Sequence, residues 1–239
     1  MVNKHKINAD KMLKQNNLGQ TIHIRYADLE THTHHLTRYW AWLSALEKER
    51  ALRLIEQQRP LFIVSRGLLR QQLADYLGQK PESIVLTNTA SGKPLLGGTK
   101  KSLLTFNLSH SKNKTAFIFA WERQVGIDIE YKSPRKWIEK IAARCLSRTD
   151  YQQFTIKTGQ EKLNFFFDCW VAHEAAIKAR GQSLLSPSGS EYSVPSLNVT
   201  ELNKKFTIVP LTLHADFAAA AAIEAYDPSA TPLLIREMT

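Results

Sequence analysis

The sequence predicts an α+β protein, and three features carry that expectation. Apolar and polar residues alternate at residues 21–29, and further short strand-like runs lie between 103 and 131. Helical spacing of apolar residues runs from Leu36 to Leu77 and again from Asn164 to Arg180. Turn-forming residues separate the two textures without any linker rich in Pro, Gly and Ser, and no short repeat is visible.

Residues 1–20 are polar, rich in Lys, Asn and Gln, and weakly periodic, so a loosely docked start is expected. At 21–29, Ile22, Ile24 and Tyr26 alternate with polar residues and mark a strand. From Leu36 to Glu56 the pattern is helical, with Leu43, Leu46, Leu52 and Ile55 set among charged residues. Pro60 belongs in the first turn of a second helix, Leu61 to Leu77, which Gly78 closes. Ser83 to Thr87 reads as a short strand, followed by turn-rich residues 87–101. LLTFNLSHS and KTAFIFAWE are two strands around a polar bend, and VGIDIEY is another.

Trp137 to Leu146 is expected to be a helix, with a further helix from Thr149 and a long one over Asn164 to Arg180, ended by Gly181. Beyond Pro187 strand and turn signals return. HADFAAAAAIEAYD carries five consecutive alanines, which favour helix on intrinsic propensity, yet small residues also fill a crowded central strand; strand is the expectation. The natural internal boundary is Arg123–Gln124, giving units 1–123 and 124–239.

Hydrophobic residues make up 43% and charged residues 23%, which excludes global disorder. No apolar stretch approaches a membrane span, and no apolar segment follows the basic N-terminus as a secretory signal requires. Two cysteines, Cys145 and Cys169, cannot build a disulfide framework or a four-cysteine zinc site. A soluble intracellular protein is expected. Lys plus Arg exceed Asp plus Glu by 32 to 22, a net charge of +10 that favours acidic partners. Nucleic acid is not expected among them: there is no helix-turn-helix signature, zinc finger or aromatic RNA-binding motif.

Four motifs could carry chemistry. In GIDIE, Asp128 and Glu130 lie two apart on one strand face, with Ile127 and Ile129 on the other. Like charges so placed call for a cation, for which Mg²⁺ is the natural hard-oxygen partner; the alternative is an edge strand whose polar face meets water. In WVAHEAAIKARG, Trp170, Glu174 and Lys178 share one helical stripe, where Glu174 and Lys178 could equally form a surface ion pair. His173 beside Glu174 is not part of a two-histidine zinc motif, because residue 177 is Ile. SGKP at 91–94 is a turn presenting Lys93, without the glycine spacing of a phosphate-binding loop. In FNLSHS, Ser109 and His110 suit phosphate binding or a plain polar turn; a hydrolase pair lacks the GxSxG elbow and a third partner.

In this order, SGKP, FNLSHS, GIDIE and WxxxEAxxK resemble the Sfp-type 4′-phosphopantetheinyl transferases, over roughly residues 40 to 220. The helical LSALEKERALR ahead of RGLLR fits as well. The resemblance implies two similar α+β subdomains in a pseudo-two-fold arrangement, with coenzyme A in the cleft between them. It implies transfer of the phosphopantetheine arm to a serine of an acidic apo carrier protein, releasing adenosine 3′,5′-bisphosphate. By that analogy Asp128, Glu130 and Glu174 hold Mg²⁺, Glu174 is the candidate base, and Lys178 offsets charge on the departing phosphate. Lys93, Ser109 and His110 match positions that grip the adenosine phosphates, with Arg50 and Arg66 as further partners.

The family usually has Lys where this chain has His173. A histidine titrating near 6.5 predicts coenzyme A affinity that weakens at alkaline pH and recovers in His173→Lys. A cytoplasmic monomer is expected, since one chain holds both halves of the cleft. The competing reading is a homologue without turnover that binds coenzyme A, a carrier protein or nucleic acid.

Overall fold

A computed structural model describes residues 21–89, 93–98, 103–181 and 206–239. The expectations for residues 1–20 and for the stretch from Pro187 to residue 205 lie outside the described residues, as do Ser91 and Gly92 of the SGKP turn.

The first half opens with β1 (Ile22–Asp28), then a 3-10 turn at Glu30–His35 and helices α1 (Leu36–Trp42), α2 (Ala45–Arg53) and α3 (Arg59–Leu77). The predicted single helix over 36–56 is therefore two. Leu43 turns extended, and Ser44 starts α2 with a reciprocal cap: its hydroxyl accepts from Glu47 N–H while the Glu47 carboxylate accepts from Ser44 N–H. Of the four apolar residues in that pattern only Leu43 is buried, joined in the core by Ala51, while Leu46, Leu52 and Ile55 are exposed. Helix α3 has Pro60 in its first turn and ends on Gly78 in the left-handed conformation, as expected. Pro81–Ser83 is a 3-10 turn, and the strand expected at 83–87 falls at β2 (Leu86–Asn88), paired with β3 (Pro94–Leu96). Strands β4 (Leu104–Ser111) and β5 (Lys114–Trp121) form the expected hairpin.

The second half comprises β6 (Val125–Tyr131), α4 (Ile138–Cys145), α5 (Arg148–Ile156), α6 (Gly159–Ala179), β7 (Phe206–Leu211) and β8 (Phe217–Glu224); β9 (Leu233–Glu237) follows. One sheet runs β4-β5-β1-β9 and another β6-β8-β7. In each, an opening strand (β1 or β6) is followed by a long helix (α3 or α6) and then by two antiparallel strands, the second of which pairs with the opening strand. This shared topology makes the protein an α+β fold of two similar subdomains. Although last in the chain, β9 crosses back to lie parallel to β1.

The two sheets pack face to face through Ile22, Ile24, Ala116 and Ile118 on one side and Val125, Ile127, Ala221 and Ile223 on the other. Helix α3 covers the outer face of the first sheet and α6 that of the second. The alanine run is strand, as expected: Ala218, Ala220 and Ala222 meet α6 while Ala219 and Ala221 meet the first sheet. Burial on both faces overrides the helical propensity of alanine. Opposite Ala222 lies Gly126, where an added Cβ would stand 2.1 Å from the Ala175 carbonyl oxygen. Small residues on β6, β8 and α6 thus let the helix lie directly on the sheet.

Candidate functional site

That close approach decides what Asp128 does. Gly126, Asp128 and Glu130 share one face of β6, and this face meets α6 rather than water. Asp128 is buried, and the Lys178 ammonium reaches down from α6 to its Oδ1 at 2.6 Å. Lys178 also donates to Ser109 Oγ at 2.9 Å, and that hydroxyl donates to the same Asp128 oxygen at 2.6 Å. Lys178 is thus committed to Asp128, and no surface pair with Glu174 forms. The second Asp128 oxygen and one Glu174 oxygen are buried without a hydrogen-bond partner. Burial, and then the charge of Asp128, push the Glu174 carboxyl up to about 7, with Lys178 pulling the other way. Glu130 is raised by burial and by Asp128, and is opposed by its hydrogen bond from Ser111 and by Arg135.

Strand β4 holds these acids from the other half of the molecule. Asn107, Ser109 and Ser111 alternate along β4 toward β6. Asn107 Oδ1 accepts from Ile127 N–H at 3.0 Å, Ser109 donates to Asp128, and Ser111 Oγ donates to Glu130 at 2.9 Å while accepting from Tyr131 N–H at 3.1 Å. Side chains here replace the backbone ladder of a continuous sheet. Asn107 and Ser111 were not singled out from the sequence. Their alternation with Ser109 was the available signal, but which strand they faced was not.

The other face of β4 carries His110 into a cleft of about 800 Å³, a volume suited to a cofactor-sized ligand. Arg50 and Arg66 line it, their guanidinium carbons 5.5 and 5.3 Å from the Phe62 ring centre, together with Ser65 and Lys112. Burial, with Arg50 and Arg70 nearby, lowers Arg66 to about 10, although Glu47 opposes the shift. The cleft walls lower the pKa of His110 by desolvation, aided by Arg66, Lys178 and Arg50. Ser111, which lines the cleft, also donates to Glu130, so the cleft opens beside the carboxylates. Its described lining comes from the first half, whereas the carboxylates stand where the halves meet. Fully buried Arg70 fixes the cleft wall: it donates to Glu47 Oε2 at 2.9 and 2.6 Å, clamping α2 to α3.

Lys93 and His173 are placed differently from the other predicted site residues. The Lys93 ammonium donates to the carbonyls of Lys178 at 2.7 Å and Val125 at 3.4 Å, tying the start of β3 to the end of α6. Burial, with Lys178 close by, lowers it to about 8. His173 is buried on α6 beside Trp170, and burial, then Arg180, push it down to about 4. The imidazole stays neutral at physiological pH, so His173 is not the group that could make affinity fade toward alkaline pH.

Among the described residues no three His, Cys, Asp or Glu side chains converge into a cluster able to hold a metal ion. The donor types are nonetheless those a hard cation takes: Asp128 on β6 and Glu174 on α6 each bury one carboxylate oxygen without a hydrogen-bond partner.

Two family models match the chain: the 4′-phosphopantetheinyl transferase superfamily over residues 124–222, and the N-terminal region of a 4′-phosphopantetheinyl transferase over residues 30–120. Among curated relatives, the 4′-phosphopantetheinyl transferase HetI of Nostoc sp. strain PCC 7120 is 34% identical over 70% of this chain and 71% of its own. The 4′-phosphopantetheinyl transferase AcpT of Escherichia coli K12 is 29% identical over 66% and 80% of the respective chains. The 4′-phosphopantetheinyl transferase Sfp of Bacillus subtilis is 27% identical over 64% and 66%.

Proposed function

Because this chain belongs to the 4′-phosphopantetheinyl transferase superfamily, we infer that it moves the 4′-phosphopantetheine group of coenzyme A onto a serine of an apo carrier protein. The observation that carries this reading beyond the family is the meeting of a buried carboxylate–lysine centre with an arginine-lined cleft at β4.

In the reaction a bond forms between the serine oxygen and phosphorus, the pyrophosphate linkage breaks, and adenosine 3′,5′-bisphosphate leaves. We assign Glu174 as the group that accepts the serine proton: burial and the neighbouring Asp128 charge make its carboxylate more basic than an exposed one. Lys178 stands ready to offset charge on the departing phosphate, held in place by Ser109 and Asp128. Arg50, Arg66 and His110 would hold the adenosine phosphates against Phe62. Lys93 would act on them only after leaving the two carbonyls; as it stands, it anchors the end of α6. His173 would contribute packing under the site rather than charge.

Mg²⁺ would be held by Asp128, Glu130 and Glu174, where it supplies charge neutralisation to the pyrophosphate. A carrier protein with an acidic surface would suit the net charge of +10. No described helix is long and apolar enough to cross a membrane. We place the protein in the cytoplasm as a monomer, with the subdomains divided as 1–123 and 124–239 and β9 contributed across that division.

Incubation with Mg²⁺, coenzyme A and an apo carrier protein, read by carrier mass, tests the assignment. The expected result is a gain of one phosphopantetheine that disappears in Asp128→Ala and Glu174→Ala. Loading that persists in both variants would overturn the site. No loading of carriers from several pathways, with coenzyme A still bound, would favour a homologue without turnover.

A further inference from the structure

A second cavity, of about 400 Å³, opens between β1, β9, α1 and the C-terminal part of α3. It shares no lining residue with the cleft. Arg66 at the cleft and Asp75 at this cavity are nine residues apart on one helix, about 13 Å.

Three arginines line it. Arg25 and Arg236 are register partners on the parallel strands β1 and β9, so their side chains leave the same sheet face as neighbours. Arg38 comes from α1, its guanidinium 5.4 Å from the ring centres of Tyr39 and Trp42. His32 and His35 complete this wall. Among the described residues none of the three arginines has a carboxylate partner, whereas Arg53, Arg70 and Arg135 each have one.

The acids nearest to hand do not serve. Glu237 and Thr239 also line the recess, but the Glu237 side chain alternates with that of Arg236 along β9, makes no ion pair with the arginines, and its charge acts on His214. Asp75 is held above the ordinary carboxylate range by burial, with no cation drawing it down. The charges of Arg25 and Arg236 do reach the inner wall: after burial, they are what lowers His23. Like charges paired across two strands destabilise a sheet. An anion bound between them reverses that cost, and guanidinium forks match phosphate oxygens in particular.

We propose that this cavity, formed by Arg25, Arg38 and Arg236, is a binding site for a small phosphate-bearing anion, separate from the coenzyme A cleft. The recess is of small-molecule size, and the inorganic anion and the nucleotide product share the required chemistry.

The test uses the full chain with the cleft disabled, Arg50→Gln/Arg66→Gln, and inorganic pyrophosphate as probe. Calorimetry is expected to show one remaining site and a raised Tm. Adding Arg25→Gln/Arg236→Gln should raise Kd at least tenfold and leave the ligand-free Tm equal or higher, because the like-charge pair is gone. In the unmutated chain, pyrophosphate should shift the His35 ring signals in NMR, a readout independent of any variant. Tighter binding of adenosine 3′,5′-bisphosphate than of pyrophosphate would identify the product as the ligand, and equal binding the inorganic anion. Absence of the remaining site together with an unshifted His35 would overturn the proposal. So would a variant with unchanged pyrophosphate binding but raised KM for the carrier, which would make this face a protein-docking surface.

Discussion

Gly126→Ala is expected to damage both stability and turnover, because the new methyl would enter backbone that cannot swing aside. Its Cβ would lie 2.1 Å from the Ala175 oxygen and 2.5 Å from the Ala179 nitrogen, where real contacts stay beyond 3.0 Å. Relief therefore requires α6 to withdraw by about 1 Å. Overpacking of this kind costs about 1–3 kcal/mol, and at about 2–4 °C per kcal/mol for a chain of this size the Tm should fall by roughly 2–12 °C. The same withdrawal carries Lys178 away from Asp128 and Ser109, and a 1 Å misplacement is enough to slow the reaction by about 100-fold. Calorimetry and the initial rate of carrier loading at saturating coenzyme A measure the two effects. Gly67→Ala is the control: its Cβ would meet the Tyr39 ring at 2.2 Å, lowering stability far from the carboxylates. Its rate per folded molecule should stay near that of the unmutated protein. A Gly126→Ala protein with unchanged Tm and loading rate would refute the reasoning.

Three further outcomes follow from the same geometry. Ser111→Ala removes a donor to Glu130 and the acceptor of Tyr131 N–H, so about 1–3 kcal/mol of stability and a several-fold rise in the Mg²⁺ concentration for half-maximal loading are expected; an unchanged Mg²⁺ dependence would remove Ser111 from the site. His173→Lys buries an ammonium where a neutral ring now packs, so the melt should drop by several degrees without tighter coenzyme A binding; tighter binding at unchanged Tm would contradict the burial described. His23, hydrogen-bonded to Tyr76, edge-on to Trp121 and flanked by Arg25 and Arg236, has its pKa lowered to about 4 by burial and those arginines. The unfolded chain then binds more protons between about pH 6.5 and 4, so this contribution is complete above that window and declines as pH falls through it, by up to about 1.4 kcal/mol per unit. Denaturant midpoints at pH 7.5 and 4.5 should differ less in His23→Gln; an identical difference would exclude His23 as the cause.

Much of the fold was legible because local chemistry and tertiary packing agreed. Pro60 and Gly78 bound α3, the hairpin β4–β5 follows its polar bend, and β6 runs where VGIDIEY alternates. The break at Leu43–Ser44 was legible too, as a Ser-x-x-Glu cap, but the run of leucines across it reads as one helix to periodicity alone. Helix α6 begins at Gly159, ahead of the Asn164 start that periodicity marks, since a polar first turn carries no apolar spacing to read.

What the sequence by itself determined are the residue types and their local faces: Asp128 with Glu130, Glu174 with Lys178, and a basic chain able to meet acidic partners. Spacing on one strand or one helix suffices for that, since the periods of 2 and 3.6 are properties of the backbone. Partner choice across elements was decided only by the tertiary structure. Lys178 binds Asp128 rather than Glu174, Ser109 serves that pair, Lys93 ends on one carbonyl of α6 and one of β6, and His173 is neutral. The Lys178–Asp128 pair depends on α6 lying against Gly126, a distance set by packing of two elements well separated in the chain. Burial at that contact then sets the charge state of Glu174, which no local pattern encodes.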